Sequence, residues 1–319
     1  MASPLDSTMG AWLVSLFLAT ILYGMGLIQT YLYFHWYTKD RWGIKAVVIC
    51  LLICETLHIT FYFCATYWLL IDHFGDFEAL VVITWYDSVQ LLAGYLSVFI
   101  VQMYFAYCTY ARTNISVVSV SERLMVLVNP KYKIMPIFIT ALALLQIGAG
   151  IALTVIAAEL GSFALVYQTK RIFTLQGVSA LICDVLITAC LCYTFNSRKS
   201  TMKSTNSLLN MLIINAVNRG MLTAFAAALN IILFLYIPKS FWFFLALVPS
   251  GKLYMNSMLA TLNTREHIRY CTQQDVGRIS ISLGNLSSNP SSGPTNSQTP
   301  ANMTTDDEGK KRTFTVNMA

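Results

Sequence analysis

What most constrains this chain is a succession of long apolar runs, seven of them, at about 10–33, 46–70, 80–109, 134–157, 172–195, 208–236 and 241–262. About 20 apolar residues is the length an α-helix needs to cross the hydrocarbon of a bilayer, and a helix satisfies its own backbone where no water can. The expected fold is therefore all-α, a seven-transmembrane-helix bundle over residues 10–266, with a short outer segment 1–9 and no soluble domain between spans. The first run has no Lys or Arg before it and no small-residue cleavage site, so it reads as a retained span rather than a signal peptide. Only 11% of residues are charged and mean hydropathy is +0.60, against about 25% charged in soluble domains. The partner this implies is the lipid bilayer. The net charge of +6 is spread over loops and does not point to nucleic acid.

The basic loop residues encode orientation. Lys39, Arg41 and Lys45, then Arg112, Arg123, Lys131 and Lys133, then Arg198, Lys199 and Lys203, and the basic residues after 264 place sixteen Lys/Arg on one side. Only Lys170, Arg171 and Lys239 lie on the other. The positive-inside rule puts the N-terminus outside and the C-terminus in the cytosol, without distinguishing the plasma membrane from an endomembrane. After about Tyr270 the chain turns to Ser, Thr, Asn, Gln, Pro and Gly, which predicts a disordered cytosolic tail over 267–319 with an unknown cytosolic partner. Cys271, beside basic residues at the exit of the last span, is a possible lipidation site. The other seven cysteines lie within or at the ends of apolar runs and read as small hydrophobes.

Ionisable and polar side chains inside spans cost about 2.5–3.5 kcal/mol each on insertion scales, so each needs a reason. Glu55, His58, Tyr62 and Thr66 share one helical face of the second run. Asp87, Gln90 and Gly94 follow in the third, and Asp184 with Gly177 and Thr188 in the fifth. The sixth holds Asn215, Asn218, Arg219 and Asn230; the seventh holds Lys252, Asn256 and Asn263. At 1.5 Å per residue, Glu55, Asp184, Arg219 and Lys252 lie about 15–20 Å from a span end, in one layer near the midplane, with Asp87 nearer the outer side. Lys252 is too deep to reach an interface. The expected core is thus a layer of Glu55, His58, Asp87, Asp184, Asn215, Arg219, Lys252 and Asn256, either binding a small ligand or pairing charges to fix helix register. Pro249 and Gly251 are expected to break the seventh span and free backbone groups to line a cavity. The fourth span, apolar except for Gln146, reads as structural, its Gly148, Ala149, Gly150 and Ala152 allowing close helix approach.

Several seven-span classes fail on their residues. Span three ends in FAYCTYARTN without a DRY-like triplet, and span seven has no NPxxY, so only the topology matches G-protein-coupled receptors. Retinal proteins carry a lysine in the last span, but Val248 stands where microbial rhodopsins place an aspartate. Of four histidines only His58 is deep in a span, too few for a bundle zinc site. No P-loop, nucleophile elbow or dinucleotide fingerprint occurs, so no enzyme activity and no cofactor are expected.

Other residues carry a resemblance. Asp184 in SALICDVLITACL, the SRKSTMKSTNSLL loop, INAVNRGMLTA around Arg219 and GKLYMNSMLATLNTRE resemble a family of multi-pass membrane proteins of mushroom-forming fungi, catalogued as domain of unknown function 6534. LYGMGLIQTYLYF and ETLH extend the likeness into the N-terminal half, and it is strongest over 176–266. One departure is the 110–133 loop, longer than the short basic connection the family implies. The resemblance implies the architecture and supplies no activity. The leading expectation is a receptor-like or sensory protein with a small-ligand site in the polar layer. A proton-coupled carrier using Glu55, His58, Asp184 and Lys252, or a structural protein with a charge-paired core, stays open beside it.

Overall fold

The computed structural model describes residues 6–76, 78–115, 131–196, 203–237 and 240–264. These form α1 (Ala11–Trp36), α2 (Trp42–Tyr67), α3 (Trp85–Ile115), α4 (Lys131–Leu160), α5 (Lys170–Asn196), α6 (Lys203–Tyr236) and α7 (244–264). Six of them, α1 to α6, are long and apolar enough to cross a membrane. Helix α7 is of spanning length but more polar, because Lys252, Asn256 and Asn263 interrupt it. No strand occurs among the described residues; an isolated bridge joins Val82 to Ser162. The segment 116–130, most of the long loop, the 197–202 connection, Cys271 and the tail lie outside the described residues.

The helices pack in sequence, α1 on α2, α2 on α3, α3 on α4, α4 on α5 and α5 on α6, with α3 also against α5. Helix α7 closes the bundle. Asn256 Nδ2 donates to the Leu22 carbonyl at 2.8 Å and Asn263 Nδ2 to the Gln29 carbonyl at 2.9 Å. Both pairs have the same sequence offset, 234 residues, so α7 runs parallel to α1. At the α1 end of the bundle, Phe241 N donates to the Ser7 carbonyl, and at the other Tyr37 Oη donates to the Asn263 carbonyl. The outer surface is apolar: Phe17, Ile28, Phe63, Ile137 and Phe225 are all exposed. Trp36, Trp42, Tyr67, Trp85 and Tyr236, at helix ends, are exposed as well, the positions where membrane helices carry interfacial aromatics.

Beyond shifts of a few residues at helix ends, two features differ from those read in the sequence. Helix α3 begins at Trp85 rather than near 80, because the Asp87 side chain reaches back to cap Thr84. Asp87 Oδ2 accepts from Thr84 N at 2.8 Å and from Thr84 Oγ1 at 2.7 Å, satisfying a backbone donor that the helix leaves open. Helix α7 is not broken: it runs continuously through Pro249 and Gly251. Proline removes one donor, the N–H that would meet the Leu245 carbonyl, and that single loss near the first turns is absorbed by packing.

Candidate functional site

The polar stripe of α2 divides into two parts. Tyr62 and Thr66 face α1, where Tyr62 Oη lies 2.5 Å from Ser15 Oγ and Thr66 Oγ1 accepts from Trp12 Nε1 at 2.8 Å. Glu55 and His58, a turn or two earlier, face α7. Glu55 Oε2 lies 3.0 Å from Lys252 Nζ, both side chains fully buried, and Lys252 also donates to His58 Nδ1. Two glycines make room for this group. A Cβ on Gly251 would sit 2.6 Å from Glu55 Oε1, and one on Gly94 would sit 3.2 Å from His58 Nε2. The glycine next to Lys252 in sequence therefore serves close approach, not a break in the helix.

A second polar group joins α5, α6 and α7. Tyr254 Oη donates to Asp184 Oδ2. The Arg219 guanidinium lies 3.7 Å over the Phe105 ring, and its Nη1 has no hydrogen-bond partner. Among the described residues the Lys252–Glu55 contact is the ion pair found within 4.0 Å. Arg219 is therefore held by an aromatic face rather than by a direct bridge to Asp184. Tyr254, absent from the residues singled out in the sequence, escaped notice because a tyrosine in an apolar span reads as ordinary core.

Between the two groups lies a cavity of about 50 Å³. Its wall includes His58 from α2, Gly94 and Tyr95 from α3, Gln146 from α4, Gln176 from α5, Thr223 and Asn230 from α6, and Ser250, Gly251 and Tyr254 from α7. Gln146 and Asn230 are 3% and 6% exposed, and neither carboxamide oxygen has a hydrogen-bond partner. Gln146, read from the sequence as an incidental residue of a structural span, is thus part of the cavity wall. A lone glutamine in an otherwise apolar span was the signal available for it. A neighbouring cavity of about 60 Å³ is lined by phenylalanines of α5 and α7 and of the segment between α4 and α5, with Asp87, Ser88, Gln90 and Thr169 also on its wall, and shares Leu91, Tyr95 and Leu247 with the first.

The remaining expected layer residues stand elsewhere. Asp87 is occupied by capping α3 and by a 3.1 Å hydrogen bond from Gln90 Nε2, so it does not join the charged groups. Asn215 and Asn218 are exposed on the outer face of α6, because the register that buries Thr223 and half-buries Arg219 turns them outward. Asn256 binds the α1 backbone. Cys271 lies outside the described residues. No group of three or more His, Cys, Asp or Glu side chains among the described residues is placed to hold a metal.

The half of the site built from α5, α6 and α7 coincides with a family match. Residues 180–267 match DUF6534, a family of unknown function. The match takes in Asp184, Arg219, Thr223, Asn230, Lys252 and Tyr254, whereas Glu55, His58 and Gln146 precede it. No curated protein and no solved structure matches the chain.

Proposed function

We propose that this chain is a receptor-like multi-pass membrane protein of the fungal kind its sequence resembles, with seven crossings, the N-terminus outside and a small-ligand site in the cavity between α2 and α7. The observation that carries the ligand site is two carboxamide oxygens without a hydrogen-bond partner, on Gln146 and Asn230, residues that line one cavity together with His58. A buried polar atom without a partner costs about 1–3 kcal/mol, and a leucine at either position would remove that cost. Residues that keep a cost of this size in a cavity large enough for a water or two fit a site whose partner is supplied by a ligand. The apolar surround and the convergence of a few polar groups are also what small-molecule sites have in common.

The seven-crossing topology is supported by the parallel docking of α1 and α7, since an even number of antiparallel reversals separates two parallel helices. Orientation rests on the asymmetry of the basic residues.

The ligand reading makes a paired prediction. Gln146→Leu and Asn230→Leu each raise the thermal stability of the purified protein, by about 1 kcal/mol or more, while removing the response to any solute that stabilises the wild type. Thermal unfolding in detergent or nanodiscs against a panel of small polar solutes measures both. Leucine variants that are less stable than wild type, with no solute distinguishing them, would assign the carboxamides to helix packing and sink the reading.

A further inference from the structure

Asp184 and Arg219 belong to one polar group and carry opposite charges, yet they are not paired with each other. Among the described residues the ion pair found within 4.0 Å is that of Lys252 and Glu55. Asp184, 3% exposed on α5, accepts from Tyr254 Oη of α7. Gln102 of α3 and Thr223 of α6 approach the same carboxylate, and Arg219, one turn before Thr223, is the cation within electrostatic reach of it. Arg219 lies instead over the Phe105 ring of α3, its Nη1 buried and without a hydrogen-bond partner. A carboxylate held by a neutral donor thus stands near a guanidinium with a donor to spare.

Two arrangements are open to these side chains. In the one seen here, a hydrogen bond from Tyr254 and a cation–π contact with Phe105 hold the two charges apart. In the other, Asp184 gives up Tyr254 and accepts from Arg219 Nη1. A hydrogen bond to a carboxylate is charge-assisted from either donor, and a desolvated cation–π contact is of the same order. The interactions exchanged are of comparable strength, which is what a two-state element requires. Helices α5 and α6 already touch at this level: Gly220, next to Arg219, lies against Thr188, which a Cβ there would strike. The exchange therefore needs rotation of side chains more than approach of helices.

Tyr254 selects between the two arrangements, and Tyr254 is also part of the cavity wall, as is Thr223. An occupant of that cavity meets the residue that holds Asp184.

We infer that Tyr254 is a latch between the cavity and the Asp184 and Arg219 charges: an occupant that draws the tyrosine away releases Asp184 to Arg219 and ties α5 to α6. Arg219 stands between Thr223 and the Lys203 start of α6, the cytosolic end in the proposed orientation. The exchange thus carries occupation of the cavity toward that end. The inference rests on the proposed ligand site for what moves Tyr254, and adds how its occupation is passed on.

The test needs no ligand, because Tyr254→Phe removes the donor, keeps the ring and stands in for the released state. Unfolding of the full chain in detergent gives the coupling between Asp184→Asn and Arg219→Met by a double-mutant cycle, once in wild type and once in Tyr254→Phe. The coupling is expected to be at least about tenfold larger, in the unfolding equilibrium constant, in Tyr254→Phe. Equal coupling in the two backgrounds, or a larger one in wild type, overturns the latch. If a member of the cycle does not fold, nitrogen-15 NMR of arginine-labelled wild type and Tyr254→Phe replaces it, with the Arg219 signal assigned by Arg219→Lys. Pairing slows rotation of the guanidinium, and an Arg219 signal that Tyr254→Phe leaves unchanged overturns the latch equally. The panel of small polar solutes separates this outcome from that of the ligand site. A gain in coupling with no solute that stabilises the wild type supports the latch and counts against the ligand reading. A stabilising solute with equal coupling overturns the latch and leaves the ligand site standing.

Discussion

Lys252 shows how a charge is made tolerable inside an apolar bundle. It is fully buried, 3.0 Å from the Glu55 carboxylate, and it uses a further donor on His58. Such a pair adds little net stability relative to apolar residues of the same size, because desolvation of both ions offsets their attraction. Removing one partner is another matter, since it strands the other. Lys252→Met should cost about 3–5 kcal/mol, and Glu55→Gln combined with Lys252→Met should recover most of that loss. A double-mutant cycle by thermal or denaturant unfolding in detergent measures the coupling. Additive losses would mean that the two side chains do not interact in the membrane. The spacing of Glu55 and His58 on one face of α2 was legible in the sequence, and so was the need of Lys252 for a buried partner. Which carboxylate the lysine takes was not, since Glu55 and Asp184 lie at similar depth and only the docking of α7 chooses between them.

At the scale of elements, the asparagines of α7 are docking groups. Asn256 and Asn263 are seven residues apart, and the carbonyls they reach, Leu22 and Gln29, are also seven apart. Two helical turns of each helix are thereby held in one register. Gly26 lets the helices approach there: a Cβ at that position would lie 3.0 Å from Met255 Cε. Interhelical hydrogen bonds of this kind contribute about 0.6–2 kcal/mol each in membrane proteins. Asn256→Leu and Asn263→Leu should each lower stability by about that amount, and hydrogen exchange should show the loss concentrated in α1 and α7. Loss spread over the whole bundle would count against the ladder. The same scale explains Asp87. In sequence, an acidic residue inside an apolar run looks like part of a charged core; the Thr84-to-Asp87 spacing of a capping box was present too, and the helix start it marks decides between the two.

For the whole molecule, the parallel pairing of α1 and α7 places the start of α1 and the region before α7 at one end of the bundle. In the proposed orientation that end is outside. Single cysteines introduced for a membrane-impermeant thiol reagent, in a background lacking the natural ones, should label at Glu78, exposed between α2 and α3, in intact cells and at Lys39, exposed between α1 and α2, only after permeabilisation. Labelling of both, or the reverse order, would refute the orientation.

The sequence by itself determined the solvent of this protein and the class of its fold. Runs of apolar residues of spanning length leave the backbone only the helix, and the one-face spacing of polar residues on α2 places them inward. It also marked which charges stand far from a span end, because that distance follows from counting residues along a helix of fixed rise. The tertiary structure decided who meets whom. Lys252 pairs with Glu55 and His58, Asp184 accepts from Tyr254, Arg219 rests on Phe105, and Gln146 and Asn230 converge from different helices on one cavity. Those relations depend on the rotation and register of each helix about its axis, set by close contacts such as those at Gly26, Gly94 and Gly251. No run of residues read along a single helix contains them.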